Sequence, residues 1–252
     1  MRKFAIVNGL GESYELNDVR NFFHNPGGLG FTRNTEFTKI GNTYEVIKEE
    51  IEQPTPTGQL CFKDEPQSSA YTKYAKFVRF LAQAPLTLIY KSDKNHKIDV
   101  APQMIEKGEI SRPLGLNINI TFKALSLWYD EVEKSGTDTI EILSDSTEES
   151  ACHIEICGAL SDPTWIHKLN GEQIAAGQVT AILSESDTLH IRSDTNPYQI
   201  YKIDGNGIKT DLYASSNFST QRFFTLKYGD NVIKCEGATK IKVTARLSYE
   251  TV

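Results

Sequence analysis

The sequence predicts a mainly β protein of two domains that carries a single amphipathic helix. Three observations predict this class. Most of the 252 residues fall into short apolar alternations of period two, separated by turns rich in Gly, Pro and Asn. One stretch, between residue 71 and Pro85, has the 3.6-residue period of a helix instead. A polar, charged segment at 130–139 interrupts the alternation and predicts a domain boundary.

The first domain opens with strand candidates at 2–7 and 43–52, and continues after the helix with strands at 86–90, 96–100 and 116–129. Ser68 or Ser69 is the expected helix cap, and Pro85 ends the helix. The face expected to cover the sheet consists of Tyr71, Tyr74, Ala75, Val78, Leu81 and Ala82. Within 116–129 the apolar phase flips at Leu125, which predicts a β-bulge there.

The second domain is predicted to be an all-β sandwich. Its strand candidates recur at short spacing, at 151–157, 164–169, 188–193, 198–203, 208–213, 223–228 and 231–235. The sequences "LNGEQ", "DGNG" and "YGDN" between them predict hairpins. The terminal stretch 239–250 has the cleanest alternation. We expect it to pair with first-domain strands, so that the domains are 1–132, completed by 239–252, and an inserted 138–237. The alternative is that it is the last strand of the second sandwich.

Length, charge and cysteine content limit the function classes. The net charge of −6 argues against a general nucleic-acid binder. Neither a secretory leader nor an apolar run of about 20 residues is visible, so no membrane span is predicted. The four cysteines are too few and too scattered for a disulfide scaffold, and we interpret them as reduced thiols of a protein made in a cytoplasm: Cys61, Cys152, Cys157 and Cys235.

Three motifs resemble ligand sites but are better explained by structure. Gly27, Gly28 and Gly30 in "NPGGLGF" lack the following helix of a phosphate loop, so a turn between strands is expected. "DGNG" at 204–207 begins like a calcium loop, but position twelve is Ser215 instead of a glutamate, which favours a hairpin.

"CHIEIC" at 152–157 is the third such motif. Cys152 and Cys157 are expected on opposite faces of a strand, whereas His153, Glu155 and Cys157 share one face. Zinc needs a further ligand from elsewhere, and His167 or His190 would supply it only by chance. A half-buried strand without a metal is therefore the prediction.

The sequence predicts neither catalytic nor cofactor-binding residues, and the protein is not expected to be an enzyme. It contains no G-x-S-x-G elbow and no cysteine in a glycine-flanked elbow. The glutamates of "EVIKEEIE" are best explained as a solvated strand face. The five histidines lie in unrelated strands or turns: His24, His96, His153, His167 and His190.

The alternative function is that of a carbohydrate-binding β-sandwich protein that adheres to cell-wall glycan, because β-sandwiches often present aromatic platforms for sugars. The aromatic candidates in the second domain are Trp165, Tyr198, Tyr201 and Tyr213. "HIRSDTNPY" at 190–198 contains the His, the Arg and the Asn-Pro of a galectin sugar motif, but in a different order and spacing. A lone strand aromatic belongs to a core more often than to a platform.

The first domain resembles the distal tail proteins of long, non-contractile phage tails from Gram-positive hosts. The resemblance rests, in chain order, on "NFFHNPGGLGF", "TYEVI", "QPTPTGQLCF", "YTKYAKFVRFLAQAPLTLIY" and "LGLNINITFKALSLWY", and it covers about 1–130. The remainder is similar in strand rhythm to the galectin-like β-sandwich that forms this family's second domain. The resemblance therefore implies an N-terminal β-sandwich-like domain with one amphipathic helix, followed by a galectin-like β-sandwich.

The resemblance also implies a structural role at the virion tail tip. First domains of that family join in a hexameric ring around the DNA channel, between the major tail tube protein and the tail-tip protein. Second domains project outward, often as a platform for receptor-binding proteins. Six copies at −6 each would carry −36, and acidic walls suit a channel that passes DNA without binding it. The expected partners are thus other copies of this chain and tail proteins, with no specific nucleic acid and no membrane.

Overall fold

The computed structural model describes residues 3–18, 21–63, 69–111, 115–217 and 223–251. The protein is mainly β, as predicted, and the described residues contain one α-helix and one 3-10 helix (Tyr213–Ser215). The chain divides into two compact units. The first comprises Met1–Tyr129 with Glu250–Val252, and the second comprises Asp130–Tyr249. Among the described residues no helix has the length and apolar character needed to cross a bilayer.

The main sheet of the first unit runs in the order β2-β1-β7-β8-β9-β6-β3, with antiparallel neighbours throughout. The strands of this unit are β1 (Lys3–Val7), β2 (Ser13–Glu15), β3 (Asn21–Gly27), β4 (Arg33–Ile40), β5 (Thr43–Ile51), β6 (Thr57–Phe62), β7 (Leu86–Lys91), β8 (Asn95–Ser111) and β9 (Gly115–Ala124). Phe4 of β1 contacts Phe23 of β3, with ring centroids 5.1 Å apart. These strands lie near opposite ends of the order, so the sheet curls into two facing layers around an apolar core.

The helix, α1 (Ala70–Leu81), is confirmed, but its buried face differs from the prediction. Ser69 caps it by accepting a hydrogen bond from the Thr72 backbone N–H at 3.2 Å. Its buried residues are Ala70, Phe77 and Leu81. Tyr71, Ala75 and Ala82 are exposed, whereas Tyr74 and Val78 are half-buried. The helix carries apolar side chains around most of its circumference, so several stripes satisfy the 3.6-residue period and only packing selects one.

Phe77 is the centre of the helix contact. Its ring lies 4.9 Å from the Tyr14 ring and 5.7 Å from the Phe62 ring, measured between centroids. Tyr14 belongs to β2 and Phe62 to β6, so α1 packs across two strands of the first unit. The helix therefore covers part of the sheet, as the sequence predicts, and does so through phenylalanine.

The predicted β-bulge at Leu125 is absent. β9 ends at Ala124, residues 125–126 form a bend, and β10 (Trp128–Gly136) begins a new strand. Leu125 is exposed, whereas Trp128 and Tyr129 are buried. A strand end and a bulge both shift the apolar phase by one residue, so the alternation does not distinguish them.

The described residues of the second unit form two main β-sheets, of order β19-β18-β17-β12-β22-β10 and β11-β21-β14-β15, and a short two-stranded sheet of β13 and β16. Its strands after β10 are β11 (Thr139–Ser144), β12 (Ser150–Cys157), β13 (Leu160–Ser161), β14 (Thr164–Leu169), β15 (Glu172–Gln178), β16 (Ile182–Leu183), β17 (Thr188–Arg192), β18 (Gln199–Ile203), β19 (Lys209–Asp211), β20 (Thr225–Leu226), β21 (Gly229–Lys234) and β22 (Lys240–Tyr249). The hairpins at "LNGEQ" and "DGNG" are confirmed. "YGDN" joins β20 and β21, which pair with other strands.

The prediction that 239–250 pairs with first-domain strands is wrong. β22 pairs antiparallel with β12, with Cys152 opposite Ala245 and Ile156 opposite Ile241, and its other neighbour is β10. The alternation correctly places Ile241, Val243 and Leu247 in a core. Period-two alternation specifies which face of a strand is buried, but it carries no information about the neighbouring strand.

The boundary segment 130–139 also differs from expectation. Most of it is strand β10, and Glu133 of β10 pairs with Lys242 of β22 at 3.1 Å. Its polar side chains line an outer sheet surface instead of a linker. The second unit consequently begins at Asp130, and only Glu250–Val252 cluster with the first unit after it.

Candidate functional site

The main candidate surface in the first unit is a two-stranded arm made of β4 and β5. Within the described residues these strands pair only with each other, from Arg33 opposite Ile51 to Ile40 opposite Thr43. Gly41, at φ +63°, forms the tip. At about 3.4 Å per residue the nine residues of β5 extend roughly 30 Å.

The arm exposes apolar side chains in the half near its tip, between residues 37 and 47. Five large ones are 53–69 % exposed: Phe37, Ile40, Tyr44, Val46 and Ile47. Phe37 lies opposite Val46, and Lys39 opposite Tyr44, so these four share one face of the ribbon. A ribbon of two strands is marginal on its own in water, and contiguous exposed apolar surface marks an interaction site.

The base of the arm is held by Arg33. Its guanidinium donates to Glu49 at 2.6 Å and to Glu250, and it lies 5.2 Å from the centre of the Phe31 ring. The Glu52 backbone N–H donates to the Thr32 carbonyl at 2.8 Å. These contacts fix where the arm leaves the first unit and leave its apolar face uncovered.

The second unit carries an aromatic groove at its β18-β19 edge. Its lining includes Tyr198, Gln199, Tyr201, Lys209, Asp211 and Tyr213. Tyr198 and Tyr213 are exposed, and the Lys209 ammonium lies 3.7 Å from the centre of the Tyr201 ring. Aromatic faces beside hydrogen-bonding groups are the elements of a sugar site.

A histidine cluster lies on the same sheet as the groove. The His153 Nε2 atom is 2.9 Å from His190 Nδ1 and 3.9 Å from Glu155 Oε1. His153 and Glu155 point from one side of β12, and Glu155 lies directly opposite His190 of β17. The His190 ring stacks on both the His153 ring and the Tyr201 ring, at 5.2 and 4.8 Å.

The protonation of this cluster is set mainly by burial. Desolvation lowers the pKa of both His153 and His190, and the Arg192 charge lowers both further. Glu155 acts in the opposite direction. Arg192 itself is held by Asp194, to which it donates two hydrogen bonds of 2.9 and 2.7 Å, and this pairing lowers the pKa of Asp194. Both imidazoles are therefore neutral at pH 7.

The comparison with known proteins decides the family. Residues 3–125 match the family described as distal tail protein, N-terminal domain. The first unit is a distal tail protein domain. The predicted resemblance is thereby confirmed. The predicted location at the virion tail tip is confirmed as well, because the matching family and structures are distal tail and baseplate proteins.

Solved structures share the fold of this chain over nearly its whole length. It superposes on a chain of the phage P2 baseplate in its activated conformation with calcium, with a TM-score of 0.64, 15 % identity and full coverage of both chains. The strontium form of that baseplate gives 0.65 at the same identity and coverage. The Dit protein of phage SPP1, described as a paradigm of the hub adsorption apparatus in phages that infect Gram-positive hosts, gives 0.69 and 11 % identity, covering 96 % of this chain and 98 % of that one. No curated protein sequence matches the chain.

Several residues of the ligand-like motifs in the sequence have structural roles. Gly27, Gly28 and Gly30 lie where β3 turns toward β4, as predicted, and Gly28 adopts φ +68° against the Thr55 carbonyl. Asp204 Oδ1 accepts from the backbone N–H groups of Asn206 and Ile208, which closes the "DGNG" turn.

The cysteines and the remaining histidines are dispersed. All four cysteines are free, and burial raises the pKa of the Cys152 and Cys235 thiols to about 12 and about 11. Such thiols are poor nucleophiles. His167 is buried against Asn231 at 3.0 Å, and Trp165 is buried in the sandwich core, so it is no sugar platform. His24 and His96 lie on β3 and β8 of the first unit.

Sequence reasoning missed two features. The sequence predicts only the solvated strand 43–52 of the arm, because the partner strand "RNTEFTKI" has weak alternation. The Gly41-Asn42 pair between two β-compatible runs is the signal that identifies the hairpin. Only the register of β12 and β17 brings His190 to Glu155, and a single sequence does not specify the register of strands 35 residues apart.

Proposed function

We propose that this protein is the distal hub of a phage tail, a structural ring component that joins the tail tube to the tail tip and surrounds the DNA channel. The observation that carries the proposal is the exposed apolar arm on a distal tail domain. Apolar side chains in this number on an unsupported ribbon favour burial against another protein chain. A closed hexamer of identical head-to-tail contacts gives each arm one equivalent neighbour.

In this hub the second unit faces outward and offers its sheet surface to receptor-binding proteins. The formal charge of −6 per chain supports a channel that does not retain DNA. The role needs no catalytic group, and a structural hub is accordingly proposed instead of an enzyme. Its partners are further copies of the chain, the major tail tube protein and the tail-tip protein.

The test compares two pairs of arm variants by sedimentation velocity over a concentration series, with negative-stain images. Phe37→Ser with Val46→Ser removes one cross-strand apolar pair, and Thr38→Ser with Glu45→Ser changes the neighbouring pair. We expect wild type and the second variant to approach the mass of six 28.3 kDa chains, about 170 kDa, as rings with a central hole. The first variant should assemble only at concentrations at least tenfold higher. Equal sedimentation of all three proteins at every concentration would exclude the arm as the assembly surface.

Carbohydrate binding is the second candidate function, and the aromatic groove favours it. We expect Tyr198→Ala and Tyr213→Ala to abolish retention on cell-wall glycan, because stacking on a sugar ring needs an exposed aromatic face. Tyr228→Ala, a change at a more exposed tyrosine outside the groove, is the control. A 28.3 kDa monomer retained on glycan through these tyrosines supports the alternative, and retention that survives both groove variants excludes it.

A further inference from the structure

The histidine cluster has the composition and spacing of a metal site. Within the described residues it is the one group of three or more His, Cys, Asp or Glu side chains whose ligand atoms converge, all lying within 4.8 Å of one another. Ligand atoms around a tetrahedral ion with bonds of 2.0–2.2 Å stand about 3.4 Å apart. The observed separations of 2.9 and 3.9 Å bracket that value, so small side-chain rotations suffice.

The scaffold holds the three ligands without help from loops. His153 and Glu155 are two residues apart on β12 and share its polar face, and His190 is paired across to Glu155 on β17. β12 lies between β17 and β22, and β17 lies between β12 and β18. Each ligand-bearing strand therefore has a hydrogen-bonded neighbour on both sides. Ring stacking on Tyr201 orients the His190 imidazole.

The charges around the cluster are compatible with a cation. Glu155 supplies a carboxylate that lies 3.9 Å from His153 Nε2, and its charge also raises the pKa of Lys242. Three cationic groups act on the cluster, and each also has a partner of its own: Asp194 for Arg192, Glu133 for Lys242, and the Tyr201 ring for Lys209. Without an ion, His153 Nε2 and His190 Nδ1 face each other at hydrogen-bond distance. One of the two nitrogens then donates its hydrogen and the other accepts it.

We propose that His153, Glu155 and His190 form a three-ligand site for a divalent transition ion, with Zn²⁺ the best fit and the fourth position open to solvent. Two imidazoles and one carboxylate are a known zinc ligand set, whereas Ca²⁺ and Mg²⁺ prefer oxygen alone. Such an ion cross-links β12 to β17 and stabilises the second unit, because it binds the folded arrangement and not the unfolded chain.

The test uses the full chain, free of any affinity tag and reduced, titrated with ZnCl₂ by calorimetry. We expect one Zn²⁺ per chain and a higher melting temperature for the second unit. His153→Gln and Glu155→Gln, two changes on the partly exposed sheet face, should each weaken binding by at least tenfold. Replacement by Co²⁺ should give a visible absorption spectrum that both variants lose.

Matched controls separate this site from others. His24→Gln changes a histidine of the first unit, and Cys157→Ser changes the neighbouring thiol on the same face of β12. Both should bind Zn²⁺ as wild type does. The proposal is overturned if wild type binds no more tightly than His153→Gln and Glu155→Gln, if Cys157→Ser abolishes binding, or if CaCl₂ raises the melting temperature as much as ZnCl₂ does.

Discussion

Truncation of Phe77 to alanine tests the packing of the single helix most directly. Phe77 has no exposed surface, and its ring contacts the rings of Tyr14 and Phe62. A buried Phe→Ala change costs about 3–5 kcal/mol in unfolding free energy, which includes the lost aromatic contacts. For a unit of this size we expect the melting temperature to fall by roughly 10 °C or more.

Tyr71→Ala on the same helix is the matched control. The sequence pattern places Tyr71 in the covered stripe, but the structure leaves its side chain 43 % exposed. Its ring contact is with the Lys107 ammonium, at 4.6 Å, and is worth about 0.5–1 kcal/mol. Alanine has the higher helix propensity, which offsets part of that loss. The control should therefore cost less than about 1 kcal/mol.

The assay follows tryptophan fluorescence during urea and thermal unfolding. Trp128 belongs to the first unit and Trp165 to the second, and both are fully buried. In a Trp165→Phe background the signal reports only the first unit, so the Phe77 and Tyr71 variants are compared through the same probe. Equal losses for the two variants, or a larger loss for Tyr71→Ala, would refute the packing described for α1.

Two further predictions concern the second unit. Circular dichroism should show that the fragment 130–249 unfolds cooperatively. The fragment 138–237 should not fold, because it lacks β22 and β10. Cooperative unfolding of 138–237 would contradict the pairing of β22 with β12. Burial lowers the pKa of His167 below its ordinary value of 6.5. Below that pH, His167 therefore binds a proton in the unfolded chain more readily than in the folded unit, and this favours unfolding. The stability of the unit should thus fall as the pH drops below about 6.5, and His167→Gln should reduce that slope in urea titrations; an unchanged slope would exclude His167 as a contributor.

The sequence by itself determined the class of this protein and most of its strands. Period-two alternation is a local property, because successive side chains of a strand point to opposite faces wherever that strand is placed. The predicted strand at 164–169 and the hairpin that follows it are accordingly present in the structure. The ordered features of 1–130 likewise suffice for the resemblance to distal tail proteins, which residues 3–125 bear out.

Only the tertiary structure decided which elements meet. The stripe of α1 is centred on Phe77, because the rings of Tyr14 and Phe62 accept that side chain, while the helical period allows other stripes. β22 lies beside β12, since an alternating strand fits any sheet with a complementary face. The convergence of His190 on His153 depends on one cross-strand register. Strand pairing and register depend on contacts between residues far apart in the sequence, which form only when the whole core packs. Local sequence patterns therefore do not specify them.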